Sequence, residues 1–373
     1  MIGENKDIRT INSISEIVDC IQTQVYGNAP EQLVAFYNQL SQDKFHDYFR
    51  ILAVPFLFHK TENIFKSNDE PKALFVNALT ELLNSTKSSV QNPETQKLFD
   101  NVFEFVNDED FDEEVKNHTG QHYGSLFKEF DHKSYFEEAK SLLKTRLDRN
   151  GITIPNTENL VLLDQGCGGG RYTAAWKLFG IKKAVGIDFS DIGLQDAKER
   201  AAFAGIDCIE FVKGSVLEMP FEAETFDIVY SNGVLHHTED WRKGIAEQLR
   251  VMKKDGLGWQ YLIENPGGIF WDSIEILRAI MKDVNKKFAQ NVLRSMGIPM
   301  NRVFYMLDHV MVPINTRITP QELTLELQKH GACNIKRLTR GVDFDRVEAI
   351  YNEIPFAKEK FGVGENRFIF NKK

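Results

Sequence analysis

The sequence predicts an α/β fold built on a doubly wound, largely parallel sheet of about seven strands. From about residue 160, short apolar runs alternate with segments of helical spacing, a pattern typical of βαβ units. A glycine-rich turn, "GCGGG" at 166–170, follows the first of these runs, and a helical N-terminal region precedes them. In such a sheet, ligands bind beyond the carboxyl ends of the strands.

Each element of this sheet is indicated by a separate apolar run. The first five predicted strands cover 159–164, 183–188, 208–213, 226–231 and 258–264. The predicted helices between them cover about 171–179, 191–204 and 240–252. Farther along, residues 319–340 indicate a helix, a glycine stop and a strand, and "NRFIFNK" near the C-terminus indicates a final strand.

Helical patterns also occur outside the sheet. Residues 11 to about 106 place apolar side chains three and four positions apart, and the acidic stretch "NDEDFDEE" that follows is predicted to be a linker. We therefore divide the chain into a helical N-terminal region, 1–115, and a sheet domain, 116–373. Within that domain, residues 266–316 are too long for a bare connection, so we predict a partly helical lid insertion over the substrate. The N-terminal region is predicted to be a lid, a homodimer surface or a partner-binding module.

Composition limits the classes of partner. The chain has 373 residues and a net charge of -9. This acidic balance disfavours a broad phosphate-binding face, so we predict no nucleic acid partner. The longest apolar run near the N-terminus, 51–58, is far shorter than the roughly 20 residues that span a bilayer, so we predict no membrane segment and a cytoplasmic location. No His, Cys or Asp cluster has metal-ligand spacing, and no metal is predicted.

The glycine turn and two nearby acids restrict the ligand. A triphosphate loop requires Lys and Ser or Thr after its last glycine, and a dinucleotide loop requires a third glycine where Arg171 stands. Asp164 precedes the turn, where a carboxylate would repel a pyrophosphate but accept hydrogen bonds from an ammonium group. Asp188 closes the second strand, where it can bind ribose hydroxyls. S-adenosylmethionine carries both an ammonium group and a ribose.

Four motifs resemble, in order, those of class I S-adenosylmethionine-dependent methyltransferases. They are "LLDQGCGGGRYT", "VGIDFS", "FVKGSVLEMPFEAETFDIVYSNGVLHHTED" and "LRVMKKDG". The resemblance is closest to the branch that acts on small molecules such as quinones, sterols and secondary metabolites, and it covers about 160–265 strongly and 319–373 more loosely. It implies a Rossmann-like fold, S-adenosyl-L-methionine as cofactor, S-adenosyl-L-homocysteine as product, and methyl transfer to a small-molecule acceptor by in-line displacement.

The resemblance also implies which residues hold the cofactor. Asp164, Gly166 and Gly168 are expected at the methionine end, Asp188 at the ribose, Phe189, Ser215 and Val216 at the adenine, Asn232 at the sulfonium, and Tyr123 on a segment that closes over the methionine. Many relatives carry an aspartate at the position of Ser215. A hydroxyl can form a hydrogen bond to adenine there, but without charge.

Candidate residues for catalysis and acceptor binding lie near the later strand ends. His236 and His237 follow the fourth strand, and we hypothesise that one of them lies near the acceptor as a base or positioning group, because histidine titrates in the useful range. A structural histidine bonded to the backbone is the alternative. The residues predicted to contact the acceptor are Glu264, Tyr305, Asp308 and His309.

Two other functions remain open from the sequence. An NAD-dependent oxidoreductase is disfavoured by Arg171 and by Asp164, whereas a methyltransferase-like binding protein without activity is favoured only by Ser215. The identity of the acceptor, and whether an oxygen, nitrogen, carbon or sulfur atom receives the methyl group, does not follow from the sequence.

Overall fold

The computed structural model describes residues 23–103 and 133–373. The predicted acidic linker at 107–114 and Tyr123 lie outside these residues, as does the start of the N-terminal helical pattern, 11–22. In the described part of the chain, no helix is long and apolar enough to cross a membrane.

One sheet of seven strands organises the described residues, and the predicted fold class is confirmed. The strands are β1 (Val161–Gln165), β2 (Lys183–Asp188), β3 (Ile209–Lys213), β4 (Phe226–Asn232), β5 (Met252–Leu262), β6 (Ala332–Arg337) and β7 (Asn366–Lys372). Their order is β3-β2-β1-β4-β5-β7-β6. Strands β1 to β5 are parallel to one another, whereas β7 runs antiparallel to its neighbours β5 and β6.

Helices precede the sheet, cover its faces and fill the insertion. They are α1 (Thr23–Tyr26), α2 (Ala29–Gln39), α3 (Lys44–Lys66), α4 (Pro71–Val90), α5 (Pro93–Phe103), α6 (Ala139–Arg149), α7 (Arg171–Leu178), α8 (Asp191–Phe203), α9 (Trp241–Val251), α10 (Gly268–Ile280), α11 (Lys286–Ser295), α12 (Met300–Met311), α13 (Pro320–Lys329), α14 (Arg346–Tyr351) and α15 (Ala357–Phe361). A π-helical turn, Lys133–Glu138, leads into α6.

Local sequence explains where several helices begin. The Asp43 carboxylate accepts the His46 N–H at the start of α3, and Asp240 accepts the Lys243 N–H at the start of α9. Thr319 and Glu322 form a reciprocal capping box that starts α13.

Strand β5 begins six residues before its predicted start at residue 258. Met252 pairs with Phe226, but Leu257 pairs with Ile228, so β5 carries extra residues opposite β4. The extra residues include Asp255, whose φ is 59°. A bulge of this kind breaks the alternation of apolar and polar side chains, which is why the early part of β5 was not predicted.

The N-terminal helices and the insertion form one helical cap, defined here as residues 23–103 and 266–316. Buried apolar side chains of α2, α3 and α4 share a single core with those of α10, α11 and α12. Helix α10 lies inside this core, since all of its residues except Gly268 and Phe270 are buried. The Tyr26 hydroxyl donates to Asp272 of α10 at 2.9 Å. The N-terminal helices therefore cover the insertion, which contains α10, α11 and α12 where a partly helical segment was predicted.

Candidate active site

The glycine turn after β1 brings bare backbone to the carboxyl edge of the sheet. Gly166, Gly168 and Gly170 adopt φ values of 82°, 54° and 73°, which favour glycine. A Cβ on Gly166 would lie 2.3 Å from Cγ1 of Val234, so the turn passes directly against the loop after β4. The Gly166 and Cys167 N–H groups both donate to the Ile187 carbonyl, which fixes the turn to β2.

Asp188 is held in place at the end of β2 by backbone donors. Its Oδ2 accepts the Gly168 N–H at 2.8 Å, and its Oδ1 accepts the Ser190 N–H at 2.9 Å. Each carboxylate oxygen retains lone pairs for a ligand, because an ionised carboxylate accepts about four hydrogen bonds. Burial raises the pKa of Asp188 above its ordinary value, although the backbone N–H groups lower it in part.

Asp164 is almost fully enclosed at the end of β1, with 3% of its surface exposed. The Thr173 hydroxyl donates to its Oδ2 at 2.6 Å. Burial, and to a smaller extent the neighbouring Asp188, raise the pKa of Asp164 to about 7, although hydrogen bonds from Thr173 lower it in part. Among the described residues the carboxylate has no cationic hydrogen-bond partner, and an ammonium group would supply one.

A cavity of about 670 Å³ opens beside these acids. Its volume lies within the range of about 300–1,000 Å³ that is common for small-molecule sites. Nine of the predicted site residues line it: Asp164, Gly166, Gly168, Asp188, Phe189, Ser215, Val216, Asn232 and His237. The structure therefore brings the predicted cofactor residues together around one space.

The lining residues divide along the cavity. Phe189 is 49% exposed and forms an apolar rim near Ser215, whose hydroxyl oxygen accepts the Leu217 N–H at 3.1 Å. The Ser215 hydroxyl proton can still be donated to a ligand, because the hydroxyl rotates. Asn232 lies on the wall formed by the end of β4, and its Oδ1 accepts the Trp259 indole N–H at 3.3 Å.

The two neighbouring histidines have different environments. His236 is 3% exposed and does not line the cavity; its Nδ1 accepts the Ile263 N–H at 3.3 Å. His237 lines the cavity, and its Nδ1 lies 2.7 Å from the Ile314 carbonyl oxygen. A carbonyl only accepts, so Nδ1 of His237 carries the proton and Nε2 is the basic nitrogen. Burial lowers the pKa of His237 to about 4, so the ring is neutral at pH 7.

The four residues predicted to contact the acceptor are not among the described residues that line the cavity. Glu264 is fully buried, and its Oε1 accepts the Trp271 indole N–H at 2.8 Å and Nε of Arg346 at 2.9 Å. The others, Tyr305, Asp308 and His309, lie on α12 of the cap. Tyr305 and His309 pack their rings 4.6 Å apart, and the charges of Asp308 and His309 act on the pKa of His237. Glu264 thus connects the segment after β5 to Trp271 of the cap and to Arg346 of α14.

Sequence reasoning missed several residues of the site. Pro313 and Ile314 line the cavity, but they lie about 150 residues after the glycine turn, and no motif marks them. Tyr135 of the π-helical turn donates its hydroxyl to the Gly169 carbonyl, and Arg171 pairs with Glu138 at 2.9 Å. An aromatic residue upstream of the sheet was the only available signal for Tyr135. In the described part of the chain, no group of three or more His, Cys, Asp or Glu side chains is arranged to hold a metal ion.

Comparison with known proteins agrees with this geometry. A family model described as "Methyltransferase domain" matches residues 163–259, which contain the glycine turn, Asp188 and the loop after β4. This is a class I S-adenosylmethionine-dependent methyltransferase domain. S-adenosylmethionine is the cofactor of this family, and the cofactor residues predicted within the described chain line the cavity.

Related proteins resemble only part of the chain. The 27-O-demethylrifamycin SV methyltransferase of Amycolatopsis mediterranei is 30% identical over 161 residues, which are 41% of this chain and 59% of that protein. The demethylmenaquinone methyltransferase of Lactococcus lactis is 33% identical over 99 residues, 26% of this chain and 39% of that protein. The chain spans less than two thirds of the length of both. The crystal structure of YcgJ from Bacillus subtilis is 16% identical, with a TM-score of 0.41, and the match covers 64% of this chain and 99% of that one.

Gly166→Ala is expected to weaken binding of S-adenosylmethionine to the methyltransferase domain by at least tenfold. Its Cβ would collide with Val234, and the positive φ would add strain of about 1–3 kcal/mol. Gly205→Ala is a matched control, because Gly205 has a φ of 63° with no atom within 4 Å of the added Cβ. Titration calorimetry of both variants measures the effect, and equal affinities would contradict the assigned role of the turn.

Proposed function

We propose that the protein transfers the methyl group of S-adenosylmethionine to a small organic acceptor that enters the cavity beside His237. The observation that carries this proposal is the cavity itself, which is lined both by the acids Asp164 and Asp188 and by the neutral His237 with the segment Pro313–Ile314. Two relatives, the 27-O-demethylrifamycin SV and the demethylmenaquinone methyltransferases, are named for small organic acceptors, which supports an acceptor of this kind. The net charge of -9 disfavours nucleic acid.

The proposed reaction is an in-line displacement. The acceptor atom forms a bond to the methyl carbon while the bond from that carbon to sulfur breaks, and the electron pair returns to sulfur to give S-adenosylhomocysteine. The positive charge on sulfur already activates the methyl group of S-adenosylmethionine, so most of the rate enhancement comes from alignment of the donor with the acceptor. When the acceptor is a hydroxyl, amine or thiol, its proton must also leave.

His237 is suited to receive that proton. It is neutral at pH 7, and its tautomer places the lone pair on Nε2, because Nδ1 donates to Ile314. The loss of positive charge from sulfur during transfer favours a proton arriving on a nearby ring. Since His236 uses its Nδ1 to accept a backbone N–H, we propose that His237 acts at the acceptor and that His236 supports β5.

His237→Gln is expected to lower turnover about a hundredfold, in line with loss of a general base, and to change the affinity for S-adenosylmethionine less than twofold. Turnover is measured as production of S-adenosylhomocysteine. His330→Gln is the matched control, because His330 pairs with Glu326 at the end of α13 and does not line the cavity. Full turnover in the His237 variant would remove the proposed role of this side chain.

The test of the function itself has two stages. Calorimetric titration with S-adenosylmethionine, S-adenosylhomocysteine and NADH is expected to show binding of the two sulfur compounds only. The protein is then incubated with labelled S-adenosylmethionine and a panel of phenols, quinols, amines and thiols, and the methylated product is identified by mass spectrometry. Binding of the cofactor without transfer to any member of the panel would favour a binding protein over an enzyme.

A further inference from the structure

A short segment connects the helical cap to the acceptor side of the cavity. We call residues 312–316 the strap; it follows α12 and precedes α13. Pro313 and Ile314 of the strap line the cavity, whereas Asn315 and Thr316 are buried, with 3% and 5% of their surfaces exposed. The strap therefore forms both a wall of the cavity and part of the protein interior.

On one side, the strap is bonded to the two histidines. The Ile314 carbonyl accepts Nδ1–H of His237 at 2.7 Å, and the Thr316 N–H donates to the His236 carbonyl at 2.9 Å. These two hydrogen bonds fix the distance between the strap and the loop after β4. The first of them also fixes the tautomer of His237.

On the other side, Arg278 of α10 holds the strap from within the cap. Its Nη1 donates to the Val312 carbonyl at 2.7 Å, and the weaker contacts of its guanidinium reach the His309 and Pro313 carbonyls at 3.5 Å each. Glu275, one turn earlier on α10, lies 3.4 Å from Nε of Arg278 and accepts the Asn315 amide at 3.1 Å. Arg278 and Glu275 are both buried, with 8% and 2% of their surfaces exposed.

We propose that Arg278 is a positioning residue for the acceptor site: through the strap, it sets the wall formed by Pro313 and Ile314 and the orientation of the His237 ring. Arg278 itself does not line the cavity. The cofactor acids, Asp164 and Asp188, are bonded to the sheet and its turns and have no contact with the strap among the described hydrogen bonds. The cap thus controls binding of the acceptor and leaves binding of S-adenosylmethionine unchanged. This inference rests on the proposed function.

The test uses the full chain with Arg278→Met combined with Glu275→Gln. The first substitution removes the planar guanidinium that donates to the strap, and the second avoids an unpaired buried carboxylate at Glu275. We expect KM for the acceptor to rise at least tenfold, kcat to fall less than KM rises, and the affinity for S-adenosylmethionine to stay within twofold. Arg278→Lys retains the charge but not the planar fork, so it is expected to give an intermediate KM. Arg302→Met is the matched control, because Arg302 is a cap arginine that pairs with Glu62 in a more exposed position.

A second measurement is independent of the acceptor. The His237 ring is observed by nitrogen NMR, with His237→Gln used to assign its signals. The charged and titratable groups that act on this ring are Asp308, Arg278 and His309, with the His236 ring edge-to-face at 4.1 Å. Loss of the Arg278 charge by itself raises the pKa of His237 from about 4, so Asn315→Ala, which frees the strap from Glu275 without removing a charge, is titrated beside the double variant. A rise of the pKa toward its ordinary value is expected in both variants, and a rise in the double variant alone would be an effect of charge and would contradict the positioning role.

The outcomes separate the two proposals. If the wild-type protein binds S-adenosylmethionine but methylates no acceptor, the proposed function fails, and the NMR titration still decides the role of Arg278. If the folded double variant retains the wild-type KM for the acceptor, the positioning role is overturned. If no acceptor is found, an unchanged pKa of His237 in the folded double variant overturns it instead. If the double variant does not fold, Asn315→Ala is measured in its place, because it removes the hydrogen bond from the strap to Glu275. A higher KM for the acceptor or a higher pKa of His237 in this variant supports the positioning role, and wild-type values of both overturn it.

Discussion

Asp164→Asn is expected to make the ligand-free protein more stable at pH 8 while it weakens binding of S-adenosylmethionine at least tenfold. Burial raises the pKa of Asp164 from 3.8 to about 7, so the folded protein holds this proton more tightly than the unfolded chain does. Stability is therefore lost as the pH rises from about 4 to about 7. At about 1.4 kcal/mol per pKa unit, the loss is on the order of 4 kcal/mol, and asparagine avoids it.

Urea unfolding at pH 4 and at pH 8 measures this effect. The variant is expected to match the wild-type protein near pH 4 and to exceed it at pH 8, because only the wild-type side chain ionises between these values. Asp191→Asn is the matched control, since 72% of the Asp191 side chain is exposed. An equal gain at both pH values would show that the carboxylate of Asp164 is not the source of the instability.

The same ionisation makes cofactor binding depend on pH. An ammonium group is bound by the charged form of Asp164, so below about pH 7 a proton must leave before the ligand binds. The dissociation constant for S-adenosylmethionine is expected to fall as the pH rises from 5 to 7, and calorimetry in buffers of different ionisation enthalpy should detect release of one proton. Asp164→Asn is expected to show neither effect.

Asp345→Ala is expected to destabilise the folded protein by about 3–5 kcal/mol, because it removes the carboxylate that Arg146 pairs with and leaves the buried Arg367 only the longer contact with Glu365 at 3.8 Å. The Asp345 carboxylate accepts Nε and Nη2 of Arg146 at 2.8 and 2.9 Å, and Nη1 of Arg367 at 2.9 Å. These charges outweigh the effect of burial and lower the pKa of Asp345 to about 2. The stabilisation is thus present above about pH 4 and is lost as the pH falls toward 2.

Asp343→Ala provides a closely matched control. Asp343 also pairs with an arginine of α6, Arg149, but 90% of the Asp343 side chain is exposed, so solvent screens the interaction. Urea midpoints at pH 7 are expected to fall strongly for Asp345→Ala and to change little for Asp343→Ala. Similar midpoints for the two variants would contradict the importance assigned to the buried network.

Much of the sheet could be predicted because its signals are local. β2 has the predicted bounds, and the other predicted helices and strands between β1 and β4 differ by two residues or less at each end. The early part of β5 was missed because a bulge there breaks the apolar pattern. The shared core of α2 to α4 with α10 to α12 was also missed, because an apolar helix face indicates burial without indicating what covers it.

The candidate site shows the same division. Asp164, Gly166 and Asp188 could be placed because their chemistry and spacing belong to one turn and two adjacent strands. His236 and His237 could not be distinguished, because their difference depends on Ile263 and Ile314, which arrive from distant parts of the chain. Glu264 was predicted at the acceptor from its position after a strand, but its Oε1 pairs with Arg346 of α14 and the side chain does not line the cavity.

The shared core of the cap has a consequence for biosynthesis. About 180 residues separate the end of α4 from the start of α10. At a synthesis rate of about 5–20 residues per second, the N-terminal helices leave the ribosome roughly 10–35 s before their partner helix is made. The apolar faces that pack on α10 remain uncovered during that interval, in which the first five strands of the sheet are being made. We infer that the N-terminal helices reach their native packing only after α10 has emerged, although they are made well before it.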